Sequence, residues 1–160
     1  MAAGNTYVAI ATQTLASNTA SVTFSSIPQT YTDLVLVIQG KMSIDGGTTL
    51  YLNGDTVNNN YTYQTLLGDG TSAVGGAGGG AFAIYLDNVI FGNVICNIMN
   101  YTNTSTYKTT LSRVNTSAYA FARVVNWAST AAITSMLISN NNSNTYLAGS
   151  TFTLYGIKAA

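Results

Sequence analysis

The stretch Asp33–Met42, DLVLVIQGKM, is the clearest β-strand of this sequence. Apolar residues at the even positions 34–38 project to one side of such a strand, and Val35 and Val37 project to the other. A strand that is apolar on both sides is typical of the interior of a sheet, where both of its faces are covered. The stretch therefore predicts a central strand of a layered β-fold.

Similar runs, rich in β-branched and aromatic residues, lie on both sides of this strand, and turn residues separate them at intervals of roughly 10–15 residues. They cover residues 7–15, 20–24, 48–52, 82–86, 91–101, 107–114, 119–127, 133–139 and 150–157. Glu is absent, and one short stretch at 128–132 could hold a helical turn. The pattern predicts one all-β domain over residues 1–160, a two-sheet antiparallel β-sandwich of the jelly-roll type, with a β-barrel as the alternative.

Two kinds of loop motif stand out between these runs. The glycine cluster at 75–80 predicts a flexible loop, and it lacks the Lys-Ser/Thr of a phosphate-binding loop. Asp45, Asp55 and Asp69 each lie beside a glycine, where Asp is a turn-forming residue. We interpret these aspartates as turn residues, the alternatives being calcium ligands or catalytic acids.

The ionisable residues exclude most catalytic chemistry. The chain has five Lys and Arg, five Asp, one Cys and no His or Glu. Without His, neither a Ser-His nor a Cys-His nucleophile can be built, and a closed zinc site lacks its ligands. A polysaccharide-degrading enzyme would have to use two aspartates. We expect a protein that is not an enzyme and binds no cofactor or metal.

The same scarcity of charge constrains the partners. Charged residues make up 6% of the chain, against about 25% in ordinary globular proteins. Nucleic acid and anionic membrane surfaces are poor partners for such a chain, because binding phosphates needs clustered Lys and Arg. No apolar run approaches the ~20 residues of a membrane span. A net charge of zero removes self-repulsion, which favours association with other copies.

Tyrosine supplies the candidate interaction residues. The chain has eleven, and Tyr61, Tyr63, Tyr101 and Tyr107 lie in or beside polar segments. Tyrosine combines a large apolar ring with a polar tip, which suits protein interfaces and the stacking of sugars. These four residues are a possible exposed interaction patch, and packing at strand edges is the alternative.

Six segments resemble a group of virion structural proteins of tailed bacteriophages, including phages that infect cyanobacteria. In chain order they are LASNTASVTFSSIP (15–28), DLVLV (33–37), LNGD (52–55), GDG (68–70), NYTNTSTYK (100–108) and GSTFTLYGIK (149–158). Proteins of this group serve as capsid decoration (cement) proteins or as parts of tails and fibres. The resemblance spans nearly the whole chain and carries over no active-site residue.

The resemblance implies a jelly-roll-like homotrimer that binds the major capsid protein and stabilises the shell without catalysis. The protein would be made in the host cytoplasm and end on the capsid surface of the virion. Residues 1–14 are a candidate assembly arm. The alternative function is a glycan-binding module at a tail or fibre tip, which would use the tyrosine patch.

Overall fold

The computed structural model describes residues 6–140 and 144–158. This part of the chain forms twelve β-strands and a 3₁₀ turn at Asn58–Asn60, without an α-helix. The strands are β1 (Tyr7–Thr14), β2 (Ser21–Phe24), β3 (Asp33–Gly40), β4 (Gly46–Leu52), β5 (Tyr61–Gly68), β6 (Ala73–Gly79), β7 (Phe82–Leu86), β8 (Gly92–Met99), β9 (Lys108–Asn115), β10 (Ala120–Trp127), β11 (Met136–Ser139) and β12 (Thr151–Ile157). The all-β prediction is confirmed.

The strands form two antiparallel sheets that are not closed into a barrel. The large sheet has eight strands in the order β1-β12-β3-β8-β9-β10-β5-β6, and the small sheet has the order β2-β11-β4-β7. The small sheet covers one side of the large one over part of its width, and β7 contacts β8, β9 and β10. The molecule is therefore the predicted two-sheet sandwich, with β5 and β6 at one edge of the large sheet.

The connectivity is that of a jelly roll with additions. Without β1, the β9–β10 hairpin and β12, eight strands remain, which can be numbered one to eight along the chain. Their order is then 1-8-3-6 in the small sheet and 2-7-4-5 in the large sheet. This is the double Greek key of a jelly roll. The hairpin is inserted between β8 and β5, and it widens the large sheet beyond the small one.

The core lies between the sheets and follows the period-two alternation of the strands. β3 lies in the interior of the large sheet, and its even-numbered residues from 34 to 38 are fully buried. Leu50 and Ile138 of the small sheet belong to the same cluster. Each such side chain contributes about 1.5–3 kcal/mol when it is fully buried. Cys96 is buried too, and burial raises the pKa of its thiol to about 12.

β9 points its polar residues inward. Lys108, Thr110 and Ser112 are each at least 97% buried. The Lys108 ammonium donates hydrogen bonds to the carbonyl oxygens of Thr106 and Thr130, at 2.9 and 3.0 Å. Burial lowers the pKa of Lys108. Because side chains alternate along a strand, this arrangement turns Leu111, on the same strand, to the outside of the sheet.

The glycine cluster is a strand, so the prediction of a flexible loop at 75–80 is wrong. Ala73–Gly79 forms β6 and pairs with β5 over seven residues without a register shift. A Cβ atom at Gly78 would lie 2.6 Å from the Tyr63 hydroxyl oxygen, so glycine is what allows this ring to lie over β6. Glycine here serves a close approach rather than chain mobility.

Most of the candidate assembly arm belongs to the large sheet. Tyr7–Thr14 forms β1, which pairs with β12 and has a register shift between Ala9 and Ala11. Residues 1–5 lie outside the described residues. Removing residues 1–14 would thus take away an edge strand as well as the segment before it.

Asp69 closes its turn by accepting hydrogen bonds from the amides and hydroxyls of Thr71 and Ser72, and two further aspartates, Asp55 and Asp87, close loops in the same way. Asp55 accepts from the Val57 amide at 3.0 Å and from the Asn60 and Trp127 side chains, each at 2.8 Å. Burial opposes ionisation of Asp55, but these hydrogen bonds outweigh it and hold its pKa below the ordinary value. The same balance lowers the pKa of Asp87, whose carboxylate accepts from the amides of Val89 and Ser117.

We expect acid to destabilise the fold. A carboxyl whose pKa is lower in the folded state contributes stability above its unfolded pKa, near 3.8, and loses it as the pH falls through the folded value. The urea midpoint should therefore be flat above about pH 5 and fall below about pH 4. Asp87→Asn should flatten this decline, and a midpoint that rises on acidification would contradict the prediction.

Candidate interaction surface

The four candidate tyrosines do not form one exposed patch. Tyr61 and Tyr101 are buried, with 1% and 0% of their surface exposed, and Tyr63 is half-buried against the core. Tyr107 is 59% exposed. The glycan-binding alternative therefore loses the patch that motivated it.

Tyr61 and Tyr101 are buried because their rings and hydroxyls complete the interior. The ring of Tyr61 stacks on that of Trp127 with centroids 6.2 Å apart. Its hydroxyl donates to the Asp55 carbonyl at 2.9 Å and accepts from the Leu52 amide at 3.0 Å. The Tyr101 hydroxyl donates to the Pro28 carbonyl. Both residues serve the fold.

Tyr63 is occupied by its own neighbours on the inner side of β5. The Arg123 guanidinium lies over its ring, 4.8 Å from the centroid. That guanidinium also donates to the Thr65 hydroxyl at 2.7 Å and to the Phe82 carbonyl at 3.1 Å. This cluster lies on the inner side of the sheet near β6, where Tyr63 and Arg123 line a small hollow of about 220 Å³.

The outer side of the large sheet carries apolar residues where an antiparallel sheet with a solvated face carries polar ones. Leu66 is 71% exposed, and Ile95 and Val124 are each 40% exposed. They belong to a continuous surface on β5, β6, β8, β9 and β10 that we call the apolar face. Its residues are Leu66, Ala73, Gly75, Ala77, Ile95, Leu111, Ala120, Ala122 and Val124.

Strand register aligns the apolar face in two rows that run across the five strands. From β8 to β6, the first row is Ile95, Arg113, Ala122, Leu66 and Gly75, and the second is Asn97, Leu111, Val124, Gln64 and Ala77. No register shift interrupts these four pairings. The alignment makes one surface out of residues that are far apart in the sequence.

The apolar face has a ridge between two hollows. Leu66 lines both hollows, and the small residues beside it form much of their floor. The first hollow has a volume of about 690 Å³ and is lined by residues that include Gly68, Ala73, Ile95, Ala120 and Ala122. The second has a volume of about 560 Å³ and is lined by residues that include Gln64, Ala77, Leu111 and Val124.

Charge is almost absent from this surface. Arg113 is the one ionisable side chain that β5, β6, β8, β9 and β10 turn outward. The other polar groups around the apolar face are neutral, chiefly the side-chain amides of Gln64, Asn93, Asn97, Asn115 and Asn126. An amide donates and accepts hydrogen bonds, so such a border can pair with another border of the same kind.

Sequence reasoning missed this surface. The apolar residues at 66, 95, 111 and 124 are visible in the sequence, but alternation alone does not say which side of a strand faces the core. One signal was available in β10, where Phe121, Val125 and Trp127 share a side. Because these three side chains are large and apolar, that side of β10 is expected to face the core. Val124 then lies on the opposite, outer side.

Comparison with models of protein families and with curated proteins gives no match for this chain. In residues 6–140 and 144–158, no three His, Cys, Asp or Glu side chains come together as a metal site. Nothing helical in the same residues has the length and hydropathy of a membrane span. The apolar face is thus the strongest candidate for a functional surface in the described part of the chain.

Proposed function

We propose that this chain is a non-enzymatic structural protein of a virion, a capsid decoration (cement) protein that binds the outer shell as an oligomer of its own copies. The observation that carries the proposal is the apolar face, because exposed apolar surfaces of this kind mark sites of protein association. The resemblance of the sequence to virion structural proteins of tailed bacteriophages supports the virion as the place of assembly.

The low charge of the whole chain, 6% of its residues, suits a stabilising role. A decoration protein bridges neighbouring shell subunits through many contacts, and uncharged contacts are not weakened by salt screening. A rigid sandwich with a fixed strand register presents its contact residues without first having to order them, which lowers the entropic cost of binding. Each oligomer would in this way help the shell to resist the outward pressure of packaged DNA.

The experiment that tests this function is the copy number of the protein in purified virions, measured by quantitative mass spectrometry against the major shell protein. Copies in the hundreds support a decoration protein on the shell lattice. A few tens or fewer would move the protein to the tail or fibres, and absence from the particle would overturn the proposal. Washing the virions with 1 M salt should leave the copy number unchanged, because the proposed contacts are mostly uncharged.

A further inference from the structure

We infer that the apolar face is the contact surface between copies of this chain. The inference deepens the proposed function, and it rests on that proposal for the expectation that the protein acts as an oligomer. It adds the surface through which the copies meet and the residue at its centre. Shape, chemistry and area each point to a second copy as the occupant.

Shape favours a second copy because the apolar face carries both a projection and hollows that can receive one. Leu66 stands between the two hollows and is 71% exposed. A leucine side chain of one copy can enter a hollow of its neighbour, whose floor of glycine and alanine residues leaves space for it. A surface that is complementary to itself is what a twofold contact between identical subunits requires.

Chemistry favours the same occupant. A partner for this surface must itself be apolar and nearly free of charge, since a buried charge without a counter-charge is costly. A second copy comes close to this condition, because each face carries one charged side chain, Arg113, which is exposed and long enough to keep its guanidinium in solvent. The bordering amides of Gln64, Asn97 and Asn126 can pair with their equivalents, because each carries both donors and an acceptor.

Area is sufficient if the contact uses most of the large sheet. Strands about 4.8 Å apart and about 3.4 Å long per residue give the eight-stranded face roughly 900 Å², and the five strands of the apolar face roughly 570 Å². A stable interface buries about 800 Å² per partner. The contact should therefore extend from the apolar face across β3, where Val37 and Gln39 are still accessible, whereas Val35 is already 95% buried within the chain.

Leu66→Arg tests the inference, measured as molar mass by light scattering during size-exclusion chromatography. The wild-type protein should elute with the mass of a dimer, about 33 kDa from two chains of 16.7 kDa, because a self-complementary contact closes with two copies, and the variant should elute as a monomer. Arginine cannot be buried in an apolar hollow and would lie near Arg113 of the same row. At fixed protein concentration we expect the dissociation constant to rise at least about 30-fold, the effect of removing an interface hot spot.

Val57→Arg is the matched control. Val57 is 56% exposed in the loop before β5, away from the sheet faces, and the variant should keep the wild-type mass. Ala122→Trp is a second test variant, which fills a hollow without adding charge and should also give monomers. Circular dichroism should show the same strand content for all the variants, since the replaced residues lie outside the core.

The outcomes separate this inference from the proposed function. If the wild-type protein is monomeric, or if Leu66→Arg and Ala122→Trp both keep the oligomer mass, the assignment of the surface is overturned, whatever the copy number in virions. If both variants are monomeric while the wild-type protein is an oligomer, the assignment stands, even where the protein is absent from virions and the proposed function fails.

Discussion

Trp127→Ala is expected to lower the free energy of unfolding by about 3–5 kcal/mol, the range found when a buried aromatic side chain is truncated in a core. Trp127 is 97% buried at the end of β10. It lies opposite Tyr61 in the strand register and stacks on that ring with an interplanar angle of 15°. The substitution would leave a cavity beside Tyr61, and the neighbouring strands are too firmly paired to close it.

A hydrogen bond adds to this cost. The Trp127 indole nitrogen donates to the Asp55 carboxylate at 2.8 Å, and Asp55 also accepts from Asn60 and Val57. The loss of one of these donors removes a hydrogen bond that fixes the loop between β4 and β5 to β10. Trp127 therefore connects the core, β5 and this loop. We expect its replacement to lower the free energy of unfolding by more than the replacement of an ordinary core residue.

Urea unfolding followed by circular dichroism would measure the effect, since the variant lacks the only tryptophan of the chain. Thr130→Ala is the control, an exposed position three residues after Trp127 and outside the apolar face, and it should cost about 0.5 kcal/mol or less. Protein concentration must be equal in both measurements, because association of the folded copies adds to the apparent stability. A cost below about 1 kcal/mol for Trp127→Ala would contradict the role given to this cluster.

Gly156→Ala is expected to cost about 1–3 kcal/mol, although it adds one methyl group. A Cβ atom at this position would lie 2.3 Å from Cγ of Tyr31 and 2.4 Å from its Cδ2. Cγ is the base of the ring, so the whole tyrosine would have to move. Gly156 lies on the inner side of β12, between its partners on β1 and β3, and the strand itself has little freedom to shift.

Gly76→Ala is the matched control for this prediction. It lies on the exposed strand β6, and a Cβ atom there would meet nothing within 4 Å. Alanine at such a position should leave stability unchanged or raise it by up to about 1 kcal/mol, because it restricts the unfolded chain. Thermal unfolding of the two variants would separate a steric cost from the general effect of replacing glycine in a strand.

Tyr31→Ala provides the rescue for Gly156→Ala. In a chain that already carries Tyr31→Ala, Gly156→Ala should cost little stability, because the ring that would clash with the new methyl group is gone. A double-mutant cycle would report this as a coupling energy between the two positions. Equal costs of Gly156→Ala with and without Tyr31 would show that the ring is not the obstacle.

Strand positions could be predicted from the sequence because alternation and turn residues are local signals. The run at 82–86 coincides with β7, the run at 107–114 differs from β9 by one residue at each end, and the run at 119–127 differs from β10 by one residue at its start. The prediction for 75–80 was wrong because glycine carries no side-chain pattern. A glycine strand is specified by the partner that it lies against, here Tyr63 across Gly78.

The tyrosines show why the candidate site could not be read in the same way. Tyr61 and Tyr63 lie in a polar segment, yet Tyr61 is buried, because its pairing partner Trp127 and the loop around Asp55 enclose it. Burial of a side chain depends on which elements pack over it. Residues distant in sequence supply those elements, so local polarity is a weak guide.

The sequence by itself determined the class of this protein: an all-β sandwich with few charges and without the histidine and glutamate that much catalysis uses. These are properties of composition and of period-two alternation, which act over a few residues. Only the tertiary structure decided which side of each strand faces outward. Lys108 points inward and Leu66 outward because strand pairing and the cover of the small sheet fix the faces. That choice, made by long-range packing, creates the apolar face.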